Sequence, residues 1–345
     1  IDSYSEGPVE IYNPTNPEDR RKLVDHVARA TEIATALPSV DFYNKGDSGN
    51  VLGILSDAFR IKSNQNTSAD TIIYTGENNN HAAEILISGL ENRLGKKQLA
   101  AAGIQVLNTV IGKMSGIVTD EAQIREQNLV EIAPGTCSAF LVESFNKILI
   151  SKIKLKGFVR GIKVFEEKED LLPFEEAKLY GHNAAHALLG FLLREKGAGL
   201  MSDAGSFKNT IEFVRRAFLY ESGGALCKKY KGLDPLFTSA GFELYAEDLI
   251  KRMVNPYLRD SIIRVTRDIR RKLAWDDRIA GAMRLCLENG ITPQHYAHGA
   301  AAAIRILAQE ENVEPSIILN TLWNDVENNQ KIVSEIKNLI NIKNL

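Results

Sequence analysis

Lys178, Asn183 and His186 fall within nine residues, in Lys178-Leu179-Tyr180-Gly181-His182-Asn183-Ala184-Ala185-His186. The apolar run Ala187-Leu188-Leu189-Gly190-Phe191-Leu192-Leu193 follows directly. An amine, a carboxamide and an imidazole in one stretch could work together on one alcohol. Oxidising a secondary alcohol needs a base for the hydroxyl proton while hydride leaves the carbon. An unperturbed lysine, with a pKa near ~10.4, is a poor base at neutral pH. Burial and nearby positive charge bring it into range. On a regular helix of about 100° per residue, His186 falls roughly 80° round from Lys178 and Asn183 roughly 140°. Asn183 and His186 are three apart and so neighbours on one face. His182 points elsewhere on that helix and is read as packing or capping.

The elements that must carry these groups change character along the chain. Residues 8–12 predict a short strand. Pro17-Glu18-Asp19 is a helix start, with proline early and acids in the first turn. Strands are expected over 31–37, 70–75 and 106–111, with a loop over 46–49 and helices over 51–59 and 81–94 between them. That alternation implies an α/β unit with a mostly parallel sheet. Two further strands are expected over 129–133 and 139–142, turning at Pro134-Gly135, and another over 157–164. From Pro173 onward the pattern is helix after helix, over 173–195, 205–229, 235–253, 256–268, 275–289, 294–310, 314–325 and 328–341. The expected division is an α/β domain over 1–170 and a helical domain over 171–345.

Length and charge bound the function. The 345 residues, 44% of them hydrophobic, suffice for two domains with cores of their own. With 42 basic and 44 acidic residues the chain lacks the basic excess of a general nucleic-acid or anionic-membrane binder. Cys137, Cys227 and Cys286 lie far apart, without zinc-site spacing, which fits a reducing compartment. No apolar run approaches the roughly 20 residues of a membrane span, and no secretory signal is visible. The expectation is a cytoplasmic protein, a monomer or small homo-oligomer, with a small-molecule substrate and with neither nucleic acid nor membrane as partner.

A second group of residues lies downstream. Asn255-Pro256-Tyr257-Leu258-Arg259-Asp260 opens a helix with proline in its first turn. Arg264, Arg267 and Lys272 follow, the first two spaced to share a helix face. A planar guanidinium suits bidentate phosphate recognition. Asp277-Arg278 comes next. The helix from Gln294 to Ile304 carries Ala300-Ala301-Ala302-Ala303, and His295 and His298 on it are read as packing or surface residues.

Lys178-x4-Asn183-x2-His186 and Asn255-Pro-Tyr-Leu-x-Asp260 together resemble the signatures of the polyol-specific long-chain dehydrogenases, the mannitol dehydrogenase family. The resemblance runs from the late nucleotide-binding strands through most of the helical domain. It implies a partial Rossmann-like, doubly wound α/β domain that lacks its first strand–helix unit, followed by a helical C-terminal domain. It also implies a metal-independent oxidoreductase that passes hydride between NAD and a polyol phosphate, polyol or sugar acid. In that reading Lys178 is the acid/base, and Asn183 and His186 donate hydrogen bonds to the developing alkoxide or ketone oxygen. Arg264, Arg267 and Lys272 are assigned to substrate binding, since the phosphate-using members carry basic residues at these spacings.

The cofactor half is recognisable in two places. Thr35-Ala36-Leu37-Pro38 stands where the family usually has Thr-Ala-Val-Gly, and Glu77-Asn78 matches its Glu-Asn or Asp-Asn after a strand. The resemblance assigns Thr35, Ala36 and Asn78 to the cofactor. Three features depart from the family. Pro38 removes an N–H donor. Gly112-Lys113 replaces the usual Asp-Arg, losing a carboxylate that helps bind substrate hydroxyls. No Gly-x-Gly-x-x-Gly occurs in the chain, and the alignment by motif would put that loop before Ile1. Two alternatives stand beside the main reading: a diverged, non-catalytic sugar-phosphate binder, and an enzyme of the 6-phosphogluconate dehydrogenase type. A 3-hydroxyacyl dehydrogenase type fits the two signatures less well.

Overall fold

The computed structural model describes residues 9–340, apart from 47–48, 66–68, 134 and 145–146. The chain divides into two compact units, one of residues 1–112 and 146–172, the other of 113–145 and 173–345. The second unit thus takes in an excursion, 113–145, that a single boundary at 170/171 assigns to the α/β half. The strands in chain order are β1 (Glu32–Thr35), β2 (Thr71–Thr75), β3 (Ile104–Ile111), β4 (Ser115–Val118), β5 (Ala139–Val142), β6 (Ile148–Ser151) and β7 (Phe165–Lys168).

In the first unit the sheet order is β1-β2-β3-β6-β7. β1, β2 and β3 run parallel, in a register that pairs Thr35 with Thr75 and Thr75 with Asn108. β6 is antiparallel to β3, and β7 is parallel to β6. The helices are α1 (Pro17–Arg29), α2 (Val51–Ser63), α3 (Ala82–Leu94) and α4 (Lys96–Ala101). The Asn16 side chain caps α1 through the backbone N–H groups of Glu18 and Asp19, with Pro17 at the first helical position. Every residue of β2 is buried, because both faces of the sheet are covered. Ile73 packs with Val24, Phe59, Leu86 and Leu90 on one face. Ile72 and Tyr74 pack with Leu107 and Ile150 on the other.

Some expected strands are absent or displaced. Residues 9–12 form no strand, and Pro8 lies outside the described residues, as do 47–48 of the expected 46–49 loop. Residues 157–164 are irregular, starting from Gly157 at φ +76°; the strand begins at Phe165, whose ring packs edge-on to Tyr74 at 4.7 Å. Residues 129–133 contribute one bridge, Glu131 to Ala139, and Pro134 lies outside the described residues. The partner of β5 is instead β4, antiparallel, with Ile117 opposite Phe140.

The second unit joins that hairpin and α5 (Glu121–Glu126) to the helices. These are α6 (Leu172–Glu176), α7 (Ala184–Glu195), α8 (Lys208–Arg216), α9 (Gly223–Lys229), α10 (Ser239–Met253), α11 (Ile262–Thr266), α12 (Ile269–Lys272), α13 (Arg278–Glu288), α14 (Gln294–Glu311), α15 (Pro315–Thr321) and α16 (Gln330–Leu339). α7 is the central helix. It packs against α8, α11, α13 and α14, and Ala187 to Leu193 are buried all round it. Gly299 of α14 lies where a Cβ would overlap Leu188, which lets these two helices approach closely. Two segments, Ala177–Asn183 and Ala217–Ser222, are π-helical and lead without a break into α7 and α9. They pack on each other where the Phe218 ring lies over Gly181. Among the described residues no helix is long and apolar enough to cross a membrane.

Candidate active site

Lys178 and Asn183 sit at opposite ends of the first π-helical segment. The sequence geometry of 100° per residue does not hold there. An i→i+5 turn is wider than an α turn, so residues five apart, as these two are, lie at a smaller angle than on a regular helix. His186 follows in the first turn of α7. From Tyr180 to Leu193 every residue is buried except Asn183 and His186. The polar pair thus marks the open side of a stretch that is otherwise core.

The electrostatics suit a base. Burial, and then the Arg278 guanidinium nearby, pull the Lys178 ammonium down to about 8, against a smaller opposing pull from Glu175. Arg278 is the first residue of α13, whose cap Asp277 holds its Nε at 2.7 Å. α13 packs on the π-helical segment, and Gly281 lies where a Cβ would overlap the Tyr180 ring. His182 is buried, and desolvation, then the nearby His186 and Lys178, hold its ring well below the ordinary histidine range. It packs as a neutral side chain, as its position predicts.

Asp260 completes this group. Its Oδ2 lies 3.6 Å from His186 Nε2. Its two oxygens also take the fork of Arg264, Nε to Oδ1 at 2.7 Å and Nη2 to Oδ2 at 2.6 Å. Burial alone would raise this carboxyl, but His186 and Arg264 hold it below the usual carboxylate range. The carbonyl of Asp260 accepts from Met201 N at 2.8 Å, and Ile262 N donates to Gly199 O at 3.0 Å. These bonds fix the turn to the chain that follows α7.

The three basic residues downstream are not equivalent. Arg264 lies in α11, but Arg267 ends it at ψ 161° and Asp268 is left-handed at φ 55°. The continuous helix expected over 256–268 is therefore broken, and Arg264 and Arg267 do not share a helix face. Asp260 takes two of the donors of Arg264, while 54% of its side chain stays exposed. Arg267 is 68% exposed, with Asp268 at 3.9 Å. Lys272 is buried and donates to the carbonyl of Arg267. Burial, then Arg278 and Arg271, bring its ammonium down to about 8.

The excursion 113–145 braces the same turn. Glu143 receives Arg252 of α10, Nε to Oε2 at 3.0 Å and Nη2 to Oε1 at 2.5 Å, with both side chains nearly buried. Glu126 pairs with Arg259 at 2.7 Å, and Gln127 donates to the carbonyl of Tyr257 at 3.3 Å. Arg259 is left-handed at φ 45°.

In the α/β unit, Thr35, Ala36 and Asn78 all fall at the C-terminal ends of parallel strands, the edge where open α/β sheets bind ligands. Glu77 organises that edge. It accepts from Thr35 Oγ1 at 2.8 Å, from Leu37 N at 2.9 Å and from the Tyr43 hydroxyl at 2.6 Å. The Thr35 hydroxyl is thus turned inward, whereas Ala36 and Asn78 are exposed. Gly76 is required between them, since a Cβ there would stand 2.7 Å from the carbonyl oxygen of Thr35.

The model of the mannitol dehydrogenase C-terminal domain matches residues 170–344, just over half the chain. The chain belongs to the mannitol dehydrogenase family. The matched span holds Lys178, Asn183, His186, Asp260, Arg264, Arg267, Lys272 and Arg278. Two curated relatives carry the name mannitol-1-phosphate 5-dehydrogenase. One, from Caldanaerobacter subterraneus subsp. tengcongensis, is 37% identical over 163 residues, 47% of this chain and 40% of its own. The other, from Brevibacillus brevis, is 32% identical over 164 residues, 48% of this chain and 41% of its own. The matched part of the chain therefore spans about two fifths of the length of these relatives.

Among solved structures, D-sorbitol dehydrogenase in substrate-free form superposes with a TM-score of 0.69 at 14% identity, covering 95% of this chain and 75% of that one. The Pseudomonas fluorescens mannitol 2-dehydrogenase ternary complex with NAD and D-mannitol gives 0.62 at 16% identity, covering 84% and 62%. At such identities the likeness is one of fold. For this member of the mannitol dehydrogenase family, sequence reasoning did not single out Asp260, Glu77 or the Glu143–Arg252 pair. The first two lay inside motifs already quoted, Asn-Pro-Tyr-Leu-x-Asp and Glu-Asn. The third joins residues more than a hundred apart, and nothing local marks it.

Proposed function

We propose that the protein is a metal-independent polyol dehydrogenase of the mannitol-1-phosphate 5-dehydrogenase type, using NAD. The observation that carries the reading is Lys178, an amine depressed to about 8 in the π-helical segment that also holds Asn183. π-helical turns concentrate at functional sites, and a base poised near the working pH is what alcohol oxidation requires. The name that both curated relatives carry, mannitol-1-phosphate 5-dehydrogenase, supports the same choice.

Bound NAD supplies the hydride acceptor. The residues present fit it: Ala36 and Asn78 are exposed at the C-terminal edge of the parallel strands, and Glu77 holds the chain there through the Thr35 hydroxyl and Leu37 N. Lys178 Nζ takes the proton of the substrate hydroxyl during oxidation and returns it during reduction. Asn183 donates from its carboxamide to the oxygen that gains charge. His186 hydrogen-bonds the substrate beside it. Arg264 has N–H donors beyond the two that Asp260 takes, and with the exposed Arg267 it serves a phosphate group. Lys272 acts through the Arg267 carbonyl that it holds.

The test follows NADH absorbance with purified protein and a panel of hexitol phosphates, hexitols and hexuronates. Turnover of mannitol 1-phosphate above the other substrates is expected. Binding of NAD with no turnover of any of them would contradict the reading. Calorimetric binding of a hexitol phosphate without NAD binding would favour a non-catalytic relative.

A further inference from the structure

His186 Nε2 is buried, and among the described residues no hydrogen bond reaches it. A buried ring nitrogen wants a partner, and Asp260 Oδ2 stands 3.6 Å away. A shift of about half an ångström would bring the two within hydrogen-bond range. Asp260 is itself fixed. Arg264 holds both oxygens, its carbonyl is tied to Met201, and the preceding turn is braced by Glu126 on Arg259 and Gln127 on Tyr257. The other histidine nearby, His182, has its ring centre 6.2 Å from that of His186 and lies tilted to it.

We propose that Asp260 is the positioning residue of the site: it receives the Nε2 proton of His186 and so leaves Nδ1 to face the substrate, with Arg264 anchoring the carboxylate. The partner of one ring nitrogen decides what the other can do. A neutral imidazole whose one proton is given to Asp260 has no donor left. His186 then accepts a hydrogen bond from a polyol hydroxyl instead of donating one to the reacting oxygen, and Asn183 is left as the donor there. This also gives Arg264 a second task besides phosphate, holding the carboxylate behind the histidine. The substrate half of the inference rests on the dehydrogenase reading; the protonation half does not.

Two arms test it on the full chain. In the first, 15N-histidine-labelled protein is examined by long-range 1H–15N correlation, with His186→Gln to assign the ring among the six histidines. The expected result is a proton on Nε2, protected from solvent exchange, that loses its protection in Asp260→Ala. A proton on Nδ1, or unchanged protection in Asp260→Ala, would overturn the proposal. In the second arm, kcat and KM for mannitol 1-phosphate with NAD are measured for D260A, H186Q and the double variant. D260A should lose roughly 10- to 100-fold in kcat, part of the ~100- to 10,000-fold that a positioned acid–base group contributes. The double variant should be no worse than H186Q alone, because the carboxylate acts through the ring. Additive losses would refute this. If D260A does not fold, Asp260→Leu, of similar size and without an acceptor, serves in both arms. Failure of every protein to turn over would count against the dehydrogenase reading, and the first arm would still decide the role of Asp260.

Discussion

Arg278 stands beside Lys178 as a fixed positive charge, gripped by Asp277 at 2.7 Å at the start of α13. Burial does most to depress the Lys178 ammonium, and the guanidinium adds to it. Arg278 bears on Lys272 in the same direction. One arginine therefore acts on both amines.

Replacing Arg278 by Met removes part of that pressure. The Lys178 ammonium then holds its proton to higher pH. Because oxidation needs the free amine, the acid limb of kcat, set by a group near 8, moves upward. The alkaline limb of the reduction moves upward with it, since that direction needs the proton. pH profiles of kcat in both directions check this, and an unmoved profile would show that burial alone sets the amine.

The same depression costs stability. In the unfolded chain Lys178 titrates near the ordinary lysine value of 10.5, and in the folded chain near 8. Between these values the unfolded state binds more protons, so stability rises with pH across that window and the penalty is complete below it. Lys178→Met should thus gain up to about 3 kcal/mol at pH 7, and the gain should vanish above about 10.5. Denaturant midpoints at pH 7 and pH 10.5 measure it. A functional residue whose removal stabilises the fold is a common trade-off.

Gly281→Ala probes the seat of the π-helical turn. Its Cβ would overlap the Tyr180 ring, two residues from Lys178, and overpacking of this kind costs about 1–3 kcal/mol. The expected signature is a fall in kcat larger than the fall in stability accounts for at assay temperature. Thermal unfolding beside steady-state kinetics separates the two.

Glu143→Ala removes the carboxylate that takes two donors of Arg252, a nearly buried guanidinium that also meets Asp248 at 3.2 Å. Breaking such a pair from one side costs about 3–5 kcal/mol. The excursion 113–145 should then become open to limited proteolysis, read by mass spectrometry of the first cleavage products.

Much of this fold was legible in sequence because both periodicities were strong. The fully buried β2 reads from its β-branched and aromatic residues, Thr71 to Thr75, and Pro17 with its acids marks the start of α1. The long helices α10, α13 and α14 fall within a few residues of their expected spans. Two things were hidden. β4 and β6 are short and draw their stability from partners, so no local pattern announces them. The π-helical segment has an α-helical composition, so nothing local marks its wider turn, which packs against α13 and Phe218. For the site, residue types and spacing led to Lys178, Asn183 and His186. They could not reveal that Arg267 leaves its helix, because that break depends on a left-handed Asp268.

The account rests on Lys178 as the group that takes the proton, and Lys178→Ala tests it most directly. Steady-state oxidation of mannitol 1-phosphate should fall by about 100- to 10,000-fold in kcat, while NAD affinity by calorimetry stays within a few-fold of the unmodified protein. Turnover by Lys178→Ala close to that of the unmodified protein would contradict it.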